Sequence, residues 1–123
     1  MCDKTKCGFP SGRTPHFLLP CILLLIYEKP SYGYEIIEDM KRKRYTKTKP
    51  DVGAVYRILR KLEKKSCVKS AWINQNKGPV KRTYTITAKG KRLLDDWAKS
   101  LFVKRASINR FLADFGKMKK GGE

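Results

Sequence analysis

Residues Lys49–Lys65, KPDVGAVYRILRKLEKK, decide how the rest of the chain is read. Pro50 and Asp51 open a helix: Pro suits a helix start, and an acid there faces the positive end of the helix dipole. Val55, Ile58, Leu59 and Leu62 then recur at i, i+3, i+4 and i+7, one apolar stripe at helical period. On a wheel of ~100° per residue the opposite side carries Gly53, Arg57, Arg60, Lys61 and Lys64. One face is greasy; the other is small at its start and basic beyond. A solvated basic face is also the ordinary outer side of a half-buried helix, so the neighbouring segments must decide.

Upstream, Phe17 to Glu28 is apolar nearly all round and predicts a buried helix, with Pro20 near its start and Lys29-Pro30-Ser31 as its stop. Ser31 is placed to cap a second helix over 32–43, with Tyr34, Ile36, Ile37 and Met40 inward and Glu35, Glu38 and Asp39 outward. Gly33 in its first turn allows close helix approach. The run KRKRYTKTK (41–49), six of its nine residues basic, leads into the central helix. Downstream, helical spacing gives way to two short strands, 68–74 and 82–87, joined by QNKGPVK, whose Gly-Pro marks a hairpin tip. Three helices followed by a basic hairpin describe a winged helix-turn-helix, and the fold class is mainly α (α+β). A long helix over 88–116 ends the pattern. Leu94, Leu101, Ile108 and Phe115 share one heptad position and Trp97, Lys104 and Phe111 the other. With Leu93, Ala98, Phe102 and Leu112 beside them, the apolar face is too wide for a lone helix in water. It is expected to pack on a second copy and on the first helix. The organisation expected is a flexible arm (1–14), a winged helix-turn-helix domain (15–87), a dimerisation helix (88–116) and a basic tail (117–123).

The charge points the same way. Of a formal net +18, eighteen Lys/Arg against Asp51 and Glu63 leave +16 between Met40 and Leu94. Such a field repels itself and attracts a polyanion, with nucleic acid ahead of an anionic membrane surface. The longest apolar run, Phe17–Tyr27, is about half of the ~20 residues a spanning helix needs, so no membrane segment is expected. Without signal-peptide features around it, a cytoplasmic address follows. Cys2, Cys7, Cys21 and Cys67 lack the tight spacing of a zinc site, and His16 is the one histidine. Cys21 and Cys67 are expected in the core. Cys2 and Cys7 are weak metal or redox candidates, and no cofactor is expected. The chain has no triad, no phosphate-cradling glycine loop and no paired carboxylates in an apolar setting, which argues against an enzyme.

Three segments together resemble the PadR family of bacterial and archaeal transcriptional regulators: ILLLIYEKPSYGYEIIEDM (22–40), GAVYRILRKLEKKSCV (53–68) and GPVKRTYTITAKGKRLL (78–94). Pro30, Gly33, Tyr34 and Glu35 are similar to the family's second-helix signature. Gly53, Val55, Tyr56, Leu59 and Leu62-Glu63 look like its recognition-helix signature. Lys81-Arg82, Tyr84, Thr87 and Gly90 look like its wing and the turn into the last helix. The chain departs at Ala54, where the family usually has a small hydroxyl residue, and at Ser66, where it usually has Gly. One helix after the wing is similar to the family's short subgroup. The resemblance implies a homodimer whose paired C-terminal helices hold two reading heads apart, and a transcriptional regulator, expected to repress. It also suggests a small aromatic or cationic effector near the dimer interface, with Trp97 as a candidate wall.

Two heads would meet half-sites about one turn (~34 Å) apart in a near-palindromic double-stranded operator. Recognition helix 51–65 would enter the major groove, where Gly53 and Ala54 permit close approach and Arg57 is the first candidate for a base edge. Tyr34, Lys49, Tyr56, Arg60, Lys61 and Lys64 would meet the major-groove strands, chiefly at phosphates. Lys77, Lys81 and Arg82, in wing 75–82, would meet the flanking backbone or the minor groove. Two alternatives stand beside this reading: a non-specific nucleic-acid or architectural binder, and a thiol- or metal-sensing regulator working through Cys2 and Cys7.

Overall fold

The computed structural model describes residues 17–74 and 80–122; the arm with Cys2 and Cys7 and the wing tip with Lys77 lie outside the described residues. Within them the order is α1 (Leu18–Glu28), β1 (Ser31–Tyr32), α2 (Gly33–Arg42), α3 (Val52–Lys64), β2 (Val68–Asn74), β3 (Val80–Ile86) and α4 (Ala88–Gly122). The fold is mainly helical, with one antiparallel sheet in the order β1-β3-β2. It is the expected winged helix-turn-helix carrying a long C-terminal helix.

α1 runs through the middle of the core. Its Ile22, Leu23, Leu25 and Ile26 are buried, and Pro20 sits at its third helical position, where no intrahelical N–H bond is lost. Against them pack Ile36, Ile37 and Met40 of α2, Val55, Leu59 and Leu62 of α3, and Val68 and Tyr84 of the sheet. Each such side chain contributes roughly 1.5–3 kcal/mol on leaving water.

Two expectations about α2 are corrected. Ser31 does not cap it. Ser31 is buried in β1, paired with Tyr84, and its hydroxyl donates to the Lys29 carbonyl at 2.9 Å. The first turn is secured instead by Glu35, whose carboxylate accepts the Tyr32 N–H at 3.4 Å. Tyr34 points outward, 63% exposed, because a position directly after Gly33 faces away from the stripe formed by Ile36, Ile37 and Met40. β1 is a third strand that the alternation of apolar residues did not signal, since two residues are too short to show a period.

Both α2 and α3 end in the same way. Arg44 and Ser66 hold positive φ (64° and 65°). In α2 the Arg44 N–H reaches the Lys41 carbonyl and Tyr45 reaches Met40; in α3 Ser66 reaches Glu63 and Cys67 reaches Leu62. These are Schellman stops, in which left-handed residues close the last carbonyls.

The hairpin hands the chain to α4 through Thr87. Its hydroxyl donates to the Ser66 and Cys67 carbonyls and accepts the Gly90 N–H at 3.1 Å. Gly90 is buried against the Cys67 carbonyl and Ile86, where a Cβ has no room. α4 is then continuous to Gly122, a length of ~52 Å at 1.5 Å per residue. The helix expected to end at 116 therefore runs on into the basic tail: Lys117–Lys120 propagate helix well, and Lys119 and Lys120 meet the negative end of the dipole. Leu93 and Leu94 lie on the core, and Trp97 is 6% exposed. From Phe102 onward the helix leaves the body.

Candidate nucleic-acid interface

α3 is capped by Asp51, whose carboxylate accepts the Ala54 N–H at 3.0 Å. Burying Val55, Ile58, Leu59 and Leu62 fixes its rotation, so Gly53, Arg57, Arg60, Lys61 and Lys64 are all exposed, as the wheel predicts. Arg57 lies back along the helix over Gly53: the space a Cβ would take there is 3.3 Å from Arg57 Nη1 and 3.2 Å from Asp51 Oδ2. A glycine at this position leaves the guanidinium free passage at the helix start.

Ala54 and Tyr56 face elsewhere. Both are half-buried and pack on the edge of the core. Tyr56 leans across Gly33, which brings α3 against the start of α2. Ala54 thus helps seat the helix end, while Tyr56 forms a wall beside it.

That wall belongs to an open groove of about 730 Å³ between α2, α3 and the stem of the wing. Tyr34 and Tyr56 line one side, Trp72, Lys81, Arg82 and Tyr84 the other, with Arg60 at the α3 edge. Its carboxylates are each matched by a cation. Lys29 meets Glu35 at 2.7 Å and Lys49 meets Glu38 at 2.9 Å. Hydrogen bonding to these carboxylates raises the pKa of both lysines, keeping them charged. Lys43 is raised in the same way by Glu28, which it meets at 2.6 Å. Part of the basic 41–49 run is therefore tied to the protein's own acids.

Arg82 is tied as well. Its Nη2 lies 3.2 Å from Glu63 Oε1 and its Nε donates to Ser70 Oγ at 2.9 Å; Ser70 in turn donates to Glu63 Oε2 at 2.6 Å. The guanidinium also sits 5.6 Å from the Trp72 ring centre. This network bolts the wing stem to α3. Lys81 lies 4.3 Å over the Tyr32 ring, at the mouth of the groove. Burial raises the pKa of Tyr84 above its ordinary 10.0, and the Arg82 charge opposes that rise.

Ser70 and Trp72 are the residues that sequence reasoning passed over, and Glu63, read there only as part of the helix signature, proves to be the anchor of Arg82. A signal existed: counting by twos from buried Val68 places Ser70 and Trp72 on the core side of β2. The register confirms that face, pairing Val68 with Ile86, Ser70 with Tyr84 and Trp72 with Arg82.

The proposed pairing residues of α4 fall in two groups. Leu94, Trp97 and Leu101 sit over the body, where a second groove of about 520 Å³ opens between α1 and α4, lined by Cys21, Leu24, Tyr27, Leu94, Ala98 and Leu101 among others. Ile108, Phe111 and Phe115 project beyond it with Phe102, Leu112 and Met118, all at least half exposed. Phe111 and Phe115 stack at 6.2 Å. Trp97 is buried within the protomer, so it is a packed residue here and offers no open wall to an effector. Burial pushes the Cys21 thiol up to about 12. Among the described residues no cluster of His, Cys, Asp and Glu is placed to hold a metal, and no helix is long and apolar enough to cross a membrane.

A sequence model described as "Transcriptional regulator PadR-like family" matches residues 22–96. A PadR-like transcriptional regulator from Bacillus cereus has a similar structure: TM-score 0.71, 25% identity, 83% of this chain and 97% of that one. Bacillus subtilis PadR, solved in complex with operator DNA, is similar with a TM-score of 0.59 and 27% identity, over 66% of this chain and 46% of that one. A protein of Lysinibacillus sphaericus, described as uncharacterized, is 29% identical over 91 residues, 74% of this chain and 84% of its own length.

Proposed function

Because the chain belongs to the PadR-like family of transcriptional regulators, we propose that it is a homodimeric, sequence-specific DNA-binding repressor. The observation that carries this reading is the outer face of α3: Arg57, Arg60 and Lys64 exposed on a capped, core-locked helix, beside a basic wing. A rigid helix with that face fits the ~12 Å wide major groove. Arg57, over Gly53 at the helix start, is assigned to a guanine edge. Arg60, Lys61, Lys64, Lys49 and Tyr34 are assigned to phosphates, and Lys81 and Lys77 to the flanking backbone. That the solved Bacillus subtilis relative holds operator DNA supports the same class of partner.

The dimer reading rests on α4. An apolar face of Ile108, Phe111, Leu112 and Phe115 exposed to water is unfavourable alone and is covered by an equal face on a second copy. The α1–α4 groove, apolar and continuous with that face, offers the copy a seat. On this division 15–87 is the reading head and 88–116 the pairing helix, and the pair acts on DNA inside the cell.

An electrophoretic shift tests the reading, using duplex from the region upstream of the chain's own coding sequence. A discrete complex that survives excess random duplex supports a sequence-specific regulator. Complexes that random duplex removes in proportion to its mass indicate a non-specific binder instead. Affinity should fall ~10³–10⁵-fold between 50 and 200 mM salt if six to ten phosphates are met.

A further inference from the structure

We propose that the groove between α3 and the wing stem seats one sugar–phosphate strand of the duplex, with Trp72 as a direct contact and Arg82 as the residue that positions it. The proposal rests on the DNA-binding reading above and adds a contact that this reading did not contain.

Trp72 is 66% exposed on β2, although it lies on the face that is core two and four pairs further down the hairpin. The Val68–Ile86 and Ser70–Tyr84 pairs enter the protein; the Trp72–Arg82 pair emerges into the groove. The indole is backed by the Arg82 guanidinium, which Glu63 and Ser70 hold from α3 and β2. A large aromatic is thus presented to water in a fixed orientation relative to the recognition helix. An indole offers an apolar face for deoxyribose and an N–H for a phosphate oxygen.

Duplex geometry says what passes there. Neighbouring major and minor grooves are divided by a single backbone strand. A head with α3 in the major groove and its wing over the adjacent minor groove must straddle that strand, and the groove lies between those two elements. Arg60 and Lys81 supply positive charge on either side of it. The carboxylates along it do not oppose an anion, since Glu35, Glu38 and Glu63 are each paired with Lys29, Lys49 and Arg82.

Fluorescence tests this directly, because the chain has two tryptophans and Trp97 is buried. Wild type and Trp72→Phe are titrated with sonicated mixed-sequence duplex at about 50 mM salt, and the anisotropy of a labelled duplex is read in parallel. Acrylamide quenching of the wild type should fall severalfold on binding, with no change in Trp72→Phe. Trp72→Ala should bind duplex about tenfold more weakly at an unchanged melting temperature. If anisotropy rises while Trp72 quenching stays constant, the seat is wrong and the DNA-binding reading stands. If anisotropy does not rise, both fall. Glu63→Ala tests the positioning role. It removes a negative charge, so simple electrostatics predicts tighter duplex binding; loss of the anchored Arg82 predicts weaker binding and a lower Trp72 emission anisotropy in the free protein. Tighter binding would overturn the role of Arg82.

Discussion

Gly33 and Tyr56 occupy adjoining space so closely that a Cβ on Gly33 would collide with the phenol ring and hydroxyl of Tyr56. The requirement is spatial, since Gly33 has ordinary helical backbone. Gly33→Ala should therefore push Tyr56 aside, separate α2 from α3 and destabilise the fold by roughly 1–3 kcal/mol. In a Tyr56→Ala background the same substitution should be close to neutral, because the colliding ring is gone. Thermal melts of the four proteins form the double-mutant cycle that checks it.

Ser66 closes α3 in the left-handed region, at φ 65°. Ser66→Gly removes the Cβ strain while keeping both Schellman hydrogen bonds, so it should stabilise the protein by about 0.5–1 kcal/mol. A rise of several degrees in melting temperature is expected, with duplex affinity unchanged. A fall in melting temperature would mean that the Ser66 side chain contributes more than its backbone strain costs.

These two sites mark what could be read in the chain and what could not. The stripe Val55, Ile58, Leu59 and Leu62 has a clear period, so α3 and its outward face were legible residue by residue. The ends of α2 and α3 were legible to within a residue, but their left-handed closure was not, because Arg44 and Ser66 sit where a glycine would have announced it. β1 escaped because its pairing with β3 is wholly non-local. The groove was missed for a related reason. Arg82 counted as one more wing cation, and only tertiary structure reveals that Glu63, nineteen residues earlier, claims it. Charge patterning finds a basic surface; it does not say which cations are already engaged.

Arg57 and Lys81 should separate in their effects on DNA. Arg57, at the start of α3, is assigned to a base edge and Lys81, on the wing stem, to backbone. Arg57→Ala should reduce discrimination between operator and random duplex by ~1–3 kcal/mol. Lys81→Ala should weaken both duplexes alike and lower the salt slope by about one unit. Competition binding at several salt concentrations measures both, and identical behaviour of the two variants would remove the distinction.

Tyr84 makes stability fall in alkali. Its pKa is raised above 10.0 by burial, so on raising the pH the unfolded chain ionises first. Its contribution is complete below about pH 10 and is lost as pH climbs through the folded-state value. Lys29, Lys43 and Lys49, also raised, lose their ion pairs in the same direction. Ultraviolet titration of the tyrosines should show a late step coincident with loss of helical circular dichroism. Tyr84→Phe should delay that loss; an unaltered alkaline transition would place its origin elsewhere.

The outer half of α4 provides the last expectation. Phe111 and Phe115 stack one turn apart on a face with Ile108 and Leu112, beyond the reach of the protomer's own core. Charges there should cost the folded protomer little, because these positions already face water, yet they should oppose the burial of one such face on another. Phe111→Glu with Phe115→Glu is therefore expected to leave the melting of the winged domain nearly unchanged while converting a dimer to a monomer by sedimentation. Operator affinity should then drop steeply, since each head would bind its half-site alone and lose the gain from tethering. Trp97→Ala is the informative contrast. Trp97 is buried within the protomer, so its truncation should lower the melting temperature, a loss of ~3–5 kcal/mol for a large aromatic in a core. If the paired Glu variant remains dimeric, the exposed face of α4 is not where two copies meet, and the two-headed reading of an operator loses its physical basis.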